Sequence, residues 1–246
     1  MRRLAAALAC RIAGTRLYAK PLQLLDVESG VSVLDHMIAL AQTLPVIDRV
    51  VLGISEGSGN ELFVETAKRA GVGFIRGSES DVLSRLIQCG EKAEATDVFR
   101  VTTESPFFHY EMVEEVWKRH VENGNDVTAI DGLPEGSAFE IYTLESLRRS
   151  HARGDDRHRS ELCSLYVREH RDEFKVEIVP VSENLRRLDL RLTIDYPEDL
   201  VLCRRVYEHF RSRAPRVPVG RIIEFLDADP GLCSLVAPYV VPTPLF

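Results

Sequence analysis

A short loop near the start of the chain carries three cations within ten residues. The segment CRIAGTRLYAKP contains Arg11, Arg16 and Lys20, with Gly14 and Thr15 between them. Guanidinium and ammonium groups neutralise phosphate oxygens, and a triphosphate needs that charge when its leaving group departs. The loop lacks both the GxxxxGKS/T pattern of a P-loop and the GxGxxG pattern of a dinucleotide site. Its composition is typical of a phosphate-binding loop, and a solvated basic loop is the alternative.

Two carboxylates follow other apolar segments of the chain. Glu104 comes after DVFRV in RVTTESP, and Asp195 comes after RLTI in RLTIDYPEDL. Carboxylate oxygens from two different strand ends can hold one Mg²⁺ ion between them. The alternative role for Asp195 is to cap the helix that Pro197 begins.

The segment RGSESDVLSR places polar groups at the start of a predicted helix. Ser78 follows a glycine, and Asp81 precedes the apolar residues of the helix. A helix N-terminus can bind a polar or anionic substrate group. Ser80 or Asp81 can also serve only as a helix cap, so both interpretations stay open.

Composition and charge narrow the classes of function. The chain has 246 residues and a formal net charge of −7, which argues against a general nucleic-acid binder. No apolar run approaches the ~18 residues of a membrane span. The five cysteines are far apart and form no CxxC pair, which predicts reduced thiols in the cytoplasm rather than a zinc site. No Ser-His-Asp or Cys-His pattern is recognisable, and His158 in DDRHRS is predicted to lie at the surface.

The first ten residues allow two interpretations. MRRLAAALAC has the charged start and apolar run of a secretion signal with cleavage before Cys10. The run is short for a signal, and Arg11 follows it directly. We therefore predict a buried strand over residues 3–10.

Apolar periodicity alternates between the strand and helix periods along the chain, which predicts an α/β fold with a doubly wound, mostly parallel sheet. The predicted strands are 3–10, 48–54, 73–75, 97–101, 126–130, one within PEGSAFEIYT, 174–181 and 188–194. The predicted helices are 32–44, 61–70, one after 81, 110–123, 144–153, 160–170, 197–213 and one after 218. We expect one domain over 1–246, with an acceptor and dimerisation lobe at 133–190 and a C-terminal helix and tail at 214–246. The loops that follow the strands, 11–20, 55–60, 76–85, 102–109 and 195–199, should meet at the carboxyl edge of the sheet.

The motifs, taken in order, resemble the SpsF-like cytidylyltransferases of spore-coat polysaccharide biosynthesis, which are relatives of the acylneuraminate and KDO cytidylyltransferases. The matching segments are RxxxTRLxxKPL, RGSESDVLSR, RVTTESP, PEGSAFE and RLTIDYPEDL, and they extend to about Leu202. The resemblance implies the glycosyltransferase-A-like, Rossmann-like nucleotidyltransferase fold. It implies a Mg²⁺-dependent transfer of CMP from CTP to a sugar, sugar acid or phosphorylated polyol, with release of pyrophosphate, for a surface polysaccharide. It also implies a cytoplasmic homodimer.

The resemblance also implies roles for individual residues. The residues it assigns to the nucleotide are Arg11, Gly14, Thr15, Arg16, Lys20, Ser78 and Asp81. Those it assigns to catalysis are Arg16, Lys20 and Asp195, and those it assigns to Mg²⁺ are Glu104 and Asp195. The residues of the GxxxE element, Gly136 and Glu140, would face the acceptor. Arg157, Arg159 and Glu161 are further predicted acceptor residues, on the basis of this chain's own charged stretch rather than of the resemblance.

Two segments depart from the family pattern. The chain has TTESP where these enzymes usually have TGDCP, so Glu104 is one methylene longer than the expected aspartate. It has SELCS at 160–164 where they have REHVT, so the histidine is missing. The basic residues Arg153, Arg157 and Arg159 lie just before this second segment and favour a phosphorylated or carboxylated acceptor.

Two other functions remain possible at this point. A glycosyltransferase of similar sheet architecture would carry a DxD metal motif, for which Asp227-Ala-Asp229 is the candidate. A non-catalytic nucleotide-binding relative would keep the fold without the chemistry. The apolar tail YVVPTPLF is the sequence feature that favours a dimer.

Overall fold

The computed structural model describes residues 2–241 and has a central mixed sheet covered by helices on both faces. Its strands are β1 Leu4–Cys10, β2 Leu24–Asp26, β3 Val31–Ser32, β4 Ile47–Ser55, β5 Gly73–Gly77, β6 Asp97–Arg100, β7 Val127–Ile130, β8 Glu140–Thr143 and β9 Val176–Val179. The helices are α1 Val33–Gln42, α2 Glu61–Ala70, α3 Val82–Lys92, α4 Val113–Glu122, α5 Leu144–Arg153, α6 Asp156–Arg159, α7 Leu165–Glu169, α8 Pro197–His209, α9 Val219–Asp227 and α10 Pro230–Val236.

The central sheet has seven strands in the order β5-β4-β1-β6-β8-β7-β9, and β2 and β3 form a separate hairpin. Strands β5, β4, β1 and β6 run parallel, β8 runs antiparallel to both of its neighbours, and β7 and β9 are parallel. The predicted α/β class with a mostly parallel sheet is therefore confirmed. The reversal of β8 gives the sheet its mixed character.

Strand β1 lies in the interior of the sheet, between β4 and β6, and is buried on both faces. Leu4, Ala6 and Leu8 belong to one apolar cluster, whereas Ala5 and Ala7 belong to a second cluster. Side chains alternate between the faces of a strand, so two covered faces require the continuous apolar run that LAAALAC provides. The strand predicted over residues 3–10 is confirmed.

The two faces of the sheet are covered by different helices. Helices α1, α2, α4, α8 and α9 contribute to the larger apolar cluster, and α3, α5 and α7 contribute to the smaller one. Local sequence determines where several of these helices begin. At α1, Ser32 and Asp35 form a capping box, in which each side chain accepts a hydrogen bond from the other residue's backbone N–H at 3.1 Å.

The strand predicted over residues 188–194 is wrong. Within it only Arg191 forms a β-bridge, with Glu135, and this bridge lies outside the sheet. Its backbone instead bonds to two loops: Leu192 N–H donates to Glu135 O at 2.7 Å, and Ile194 N–H donates to Glu104 O at 2.8 Å. This extended segment therefore brings the loop after β6 next to the residues that precede α8.

Other predicted helices are shorter in the structure. The helix predicted over 160–170 is confined to α7, because Ser160 Oγ accepts a hydrogen bond from Leu162 N–H in a turn that precedes it. A 3₁₀ turn, Tyr110–Met112, precedes α4, and α8 ends at His209, before a further 3₁₀ turn at Arg211–Arg213. These ends are decided by local turns that apolar periodicity does not record.

Within residues 2–241, no helix is long and apolar enough to cross a lipid bilayer. Four of the five cysteines, Cys10, Cys89, Cys163 and Cys203, are buried free thiols, and Cys233 is a partly buried free thiol. The single domain with its lobe and C-terminal tail stays a prediction, and residues 242–246 of that tail lie outside the described residues.

Gly136 allows the loop after β7 to approach the segment that carries Asp195. Its φ is +89°, and a Cβ at this position would lie 2.7 Å from the backbone nitrogen of Thr193. We expect Gly136→Ala to lower the free energy of unfolding by about 3 kcal/mol, because backbone strain and overpacking add. Gly124 also has a positive φ, of +61°, but a Cβ there would have no atom within 4 Å, so Gly124→Ala is the control.

The control substitution should cost about 1 kcal/mol, the strain of the left-handed backbone alone. Urea denaturation of both variants measures the difference. Equal losses of unfolding free energy for the two variants would show that the close approach of Gly136 to the Thr193 backbone does not affect stability.

Candidate functional site

A cleft opens at the carboxyl ends of β1 and β6, the edge where ligands bind in open α/β sheets. Its wall is built from the loop after β1, the start of α3, the loop after β6 and one residue of the 133–190 segment. The lining residues are Ala9, Arg11, Ala13, Gly14, Thr15, Arg16, Lys20, Pro21, Val82, Arg85, Leu86, Arg100, Val101, Thr102, Thr103, Glu104 and Glu161.

The loop after β1 has a defined conformation. Ile12 N–H donates to the side-chain oxygen of Asn60 at 2.9 Å, and Ala19 N–H donates to Ile12 O at 2.9 Å. At Gly14, a Cβ would lie 2.3 Å from Leu17 O, so the loop closes tightly only with glycine there. This fold directs the basic side chains of the loop into the cleft.

Asp195 is the meeting point of the predicted catalytic residues. Its Oδ1 accepts hydrogen bonds from Lys20 Nζ at 2.5 Å and from Arg16 Nη2 at 2.8 Å. Its Oδ2 accepts from Arg191 Nη2 at 2.8 Å. Burial alone would raise the pKa of the Asp195 carboxyl, but Lys20, Arg16 and Arg191 together lower it. Asp195 is thus a carboxylate, and it holds the two loop cations in place.

The backbone around Asp195 is held by the start of α8. Asp199 Oδ2 accepts hydrogen bonds from the N–H groups of Asp195 at 2.8 Å and of Tyr196 at 2.9 Å. Arg191 Nε donates to Asp199 Oδ1 at 2.8 Å, and Arg191 also pairs with Glu135. Tyr196 is the N-cap residue of α8 and Asp199 completes its capping box, so Asp195 does not cap the helix. Asp195 is not itself among the lining residues of the cleft, but its partners Lys20 and Arg16 are.

Glu104 lies beside Asp195 because Ile194 N–H bonds to its carbonyl. Burial raises the pKa of the Glu104 carboxyl, and the nearby charge of Asp195 raises it further, whereas Lys20 and Arg100 lower it. Two carboxylates that repel each other across a basic cleft favour uptake of a cation. Within residues 2–241, however, no group of three His, Cys, Asp or Glu side chains could hold a metal ion.

Glu104 and Asp195 are carboxylates of the kind that bind Mg²⁺, but the ion would have to displace one of the cations that hydrogen-bond to Asp195. This ion is usually bound by one or two carboxylates, with waters and substrate phosphates completing its six ligands. Two carboxylates beside the basic loop after β1 would meet that requirement if a polyphosphate were bound there. Their assignment as metal ligands stays a prediction.

The far side of the cleft is built around Arg100 and Glu161. Arg11 Nη2 pairs with Glu161 Oε2 at 3.1 Å across the cleft, and Arg100 Nη2 donates to Glu161 O at 3.1 Å. Arg100 Nη1 also pairs with Glu140 at 2.8 Å. Glu140 is only 1% exposed and does not line the cleft, so its connection to the cleft is its pair with Arg100.

The other predicted nucleotide residues lie at the start of α3. Asp81 caps the helix by accepting from Ser84 N–H at 2.8 Å, and it pairs with His151 at 2.7 Å. Ser78 Oγ accepts from Asp81 N–H at 3.2 Å. Neither Ser78 nor Asp81 is among the lining residues, whereas the adjacent Val82 is.

The structure does not bring the predicted acceptor residues Arg157 and Arg159 to the cleft lining. Arg157 pairs with Glu169 at 3.0 Å, and Arg159 donates to the carbonyls of His151 and Gly154. The prediction that His158 lies at the surface is wrong. This side chain is buried, and it contacts the carboxylates of Asp155 and Glu169.

Arg85 is a cleft residue that the sequence analysis missed. It is 1% exposed, and its Nη1 donates to Cys10 O at 3.0 Å and to Gly53 O at 2.7 Å, which ties together the ends of β1 and β4. Within the described residues it has no ion pair, and burial lowers its pKa. An arginine within the apolar stripe of α3, between Leu83 and Leu86, was the available signal.

Arg191 and Tyr196 were also missed. The only sequence signal for either residue is its position in RLTIDYPED. Arg191 lies four residues before Asp195, and Tyr196 directly follows it. The contacts of Arg191 with three carboxylates depend on folding and follow from no local pattern.

Comparison with known proteins gives consistent matches. A family model for cytidylyltransferases matches residues 5–215. The spore coat polysaccharide biosynthesis protein SpsF of Bacillus subtilis is 27% identical over 224 residues, which cover 89% of this chain and 92% of that protein.

Solved structures agree in fold. A cytidylyltransferase from Leptospira borgpetersenii matches with a TM-score of 0.86 at 20% identity, covering 95% of this chain and 97% of that one. CMP:2-keto-3-deoxy-manno-octonic acid synthetase, in complex with CTP, matches with a TM-score of 0.65 at 13% identity, covering 84% and 99%. The predicted nucleotidyltransferase fold is confirmed.

The Glu104 and Asp195 carboxyls should have opposite effects on how stability depends on pH. The pKa of Glu104 is raised from its ordinary value of 4.5, so its contribution is full below 4.5 and is lost as pH rises through the folded-state pKa. Glu104→Gln should therefore raise the melting temperature near neutral pH, and this gain should vanish below pH 4.5.

The pKa of Asp195 is lowered from 3.8, so its contribution is present above 3.8 and is lost as pH falls through the folded-state pKa. Asp195→Asn should accordingly lower the melting temperature near neutral pH and have less effect in acid. Thermal melts of both variants across pH, in the presence of a chelator, give the difference in melting temperature from the wild type at each pH. If this difference changed with pH in the same direction for both variants, the assigned electrostatics would be contradicted.

Proposed function

The chain belongs to the cytidylyltransferase family, and we propose that it transfers CMP from CTP to a sugar, sugar acid or phosphorylated polyol, with release of pyrophosphate. The observation that carries the proposal is the convergence of Lys20 and Arg16 on Asp195 at the carboxyl edge of the sheet. The order of motifs predicted this family, and the match over residues 5–215 establishes it. The chain is therefore a nucleotidyltransferase.

The charge of the cleft suits a polyphosphate. Its lining includes five cations and only two carboxylates, Glu104 and Glu161. The cationic lining residues are Arg11, Arg16, Lys20, Arg85 and Arg100. Val82 and Leu86 from α3 add an apolar surface suited to the flat face of a nucleobase. A ligand with one apolar end and one polyanionic end, such as a nucleoside triphosphate, matches both parts.

The reaction is an in-line displacement at phosphorus. An acceptor oxygen forms a bond to the α-phosphorus of CTP, the bond from that phosphorus to the bridging oxygen of the β-phosphate breaks, and an acceptor hydroxyl gives its proton to solvent. Arg16 and Lys20 neutralise the charge that develops on the departing pyrophosphate. Asp195 orients both cations before the nucleotide arrives, so the protein contributes mainly position and charge.

A divalent metal, Mg²⁺ by our proposal, would be held by Glu104 and Asp195. When bound, it supplies further neutralisation of the triphosphate charge. The longer side chain of Glu104, relative to the aspartate usual in similar enzymes, would place its carboxylate farther from the backbone.

We place the acceptor on the Glu161 side of the cleft. Glu161 is exposed and lines the cleft, and Arg100 beside it is held by Glu140. Arg157 and Arg159 stay predicted acceptor residues, but both already have partners outside the cleft lining. The similarity to SpsF supports a role in surface polysaccharide biosynthesis. A homodimer in the cytoplasm remains our expectation.

The glycosyltransferase alternative loses its candidate metal motif. Asp227 pairs with Arg187 at 2.6 Å, and Asp229 caps α10 by accepting from Leu232 N–H at 3.0 Å. Both carboxylates therefore have structural partners, and neither lines the cleft. Membership of the cytidylyltransferase family also favours an enzyme over a non-catalytic relative.

Ligand-dependent melting tests the nucleotide. With Mg²⁺ present, CTP should raise the melting temperature more than ATP, GTP or UTP, because ligand that binds only the native state stabilises it by mass action. Arg16→Ala should reduce the shift. Arg205→Ala is the control, because this arginine pairs with Glu208 on the exposed surface of α8. A shift with a nucleotide-sugar but with no triphosphate would favour the glycosyltransferase.

Asp195→Asn tests the catalytic centre. This change removes the charge that holds Lys20 and Arg16, so pyrophosphate release in an acceptor screen should fall by roughly two to four powers of ten. Asp227→Asn is the matched control, because Asp227 pairs with Arg187 and not with a lining residue of the cleft, and it should keep normal turnover. Both are assayed below their melting temperatures. Near-normal turnover of Asp195→Asn would remove Asp195 from the catalytic centre.

A further inference from the structure

One aromatic ring connects the C-terminal part of the described chain to the cleft. Tyr239 stacks on Tyr196, with ring centroids 4.0 Å apart and ring planes at 13°. Tyr196 directly follows Asp195 and is the last residue before α8. Tyr239 lies beyond residue 215, where the family match ends. The contact therefore involves a residue that lies outside the part of the chain matched by the family model.

Tyr196 in turn contacts Arg16. The guanidinium carbon of Arg16 lies 5.0 Å from the Tyr196 ring centroid. Interaction with the Tyr196 side chain is also the largest cause of the raised pKa of Arg16. The Arg16 side chain is 45% exposed, so the Tyr196 ring and the Asp195 carboxylate are the contacts that restrict it.

Tyr239 is itself held by a packed element. It ends a 3₁₀ turn, Ala237–Tyr239, that follows α10, and Val236 anchors this end of α10 at 2% exposure. The carbonyl of Tyr239 accepts a hydrogen bond from Arg191 Nη1 at 3.5 Å. Burial and the nearby charge of Glu198, in the first turn of α8, raise the pKa of the Tyr239 hydroxyl. Tyr239 is thus held by its ring and by its carbonyl against the segment that carries Asp195.

We infer that Tyr239 is a positioning residue, whose ring fixes Tyr196 and thereby holds the Arg16 guanidinium in the orientation that meets a triphosphate. The inference rests on the proposed function. An arginine over an aromatic face keeps its N–H donors free for phosphate while its rotation is restricted. Such preorganisation reduces the entropy lost when the ligand binds.

The first test is the affinity of the full chain for CTP with Mg²⁺, measured by calorimetry. Tyr239→Ala should weaken binding by about fivefold, the order expected when one partly exposed cation–aromatic arrangement is lost. Tyr239→Phe keeps the stacked ring and should retain wild-type affinity. Phe225→Ala is the control within the same segment, because Phe225 packs on His209 and Phe210. It should lower the melting temperature without changing affinity.

A double-mutant cycle separates positioning from a general structural effect. In an Arg16→Ala background, Tyr239→Ala should cause no further loss of affinity, because the ring acts through Arg16. The same loss in both backgrounds, or an equal loss in Phe225→Ala, would overturn the inference.

A measurement without nucleotide keeps the inference separate from the proposed function. NMR relaxation of the Arg16 Nε–H group should show greater mobility in Tyr239→Ala than in the wild type or in Tyr239→Phe. Unchanged mobility would overturn the inference. If the wild-type chain does not bind CTP, the proposed function fails, and the relaxation result alone decides whether Tyr239 positions Arg16.

Discussion

The cleft depends on one carboxylate that three cations share. Lys20 and Arg16 reach Asp195 from the loop after β1, and Arg191 reaches its other oxygen from the segment before α8. A largely buried carboxylate without partners would be unfavourable, and so would three cations gathered without an anion. Each charge therefore requires the others to stay in place. Asp199 completes the arrangement by holding the backbone of Asp195, so the loop is tied to a point 175 residues away in sequence.

The remaining charges of the cleft are less well balanced, and this suits a site for a charged ligand. Burial raises the pKa of Glu104, while Arg85 is buried among carbonyl groups without an ion pair in the described part of the chain. Groups whose ionisation is perturbed by burial and by specific neighbours concentrate at functional sites. A triphosphate and a divalent cation would supply the opposite charges that the protein does not provide.

The order of the elements could be predicted from the sequence because strand and helix periods are local. The apolar run of residues 4–10 can be buried on two faces only in the interior of a sheet, and it lies there. The charged motifs that contain Arg16, Lys20 and Asp195 were recognisable because residue type and order persist in the linear chain. The structure confirms that these three side chains meet, although their roles in turnover remain predictions.

Other features were decided only by tertiary contacts. Residues 188–194 have the pattern of a strand, but their backbone bonds to the loops that contain Glu104 and Glu135 rather than to a strand of the sheet. The charged surroundings of His158 in sequence indicated exposure, yet its carboxylate partners bury it. The stacking of Tyr239 on Tyr196 joins residues from two distant helical segments. Sequence by itself therefore determined the fold class and the chemical groups of the site, since both depend on residue type and local period. Which groups are paired, and which remain available to a ligand, depends on contacts between distant segments, and only the folded chain decides these.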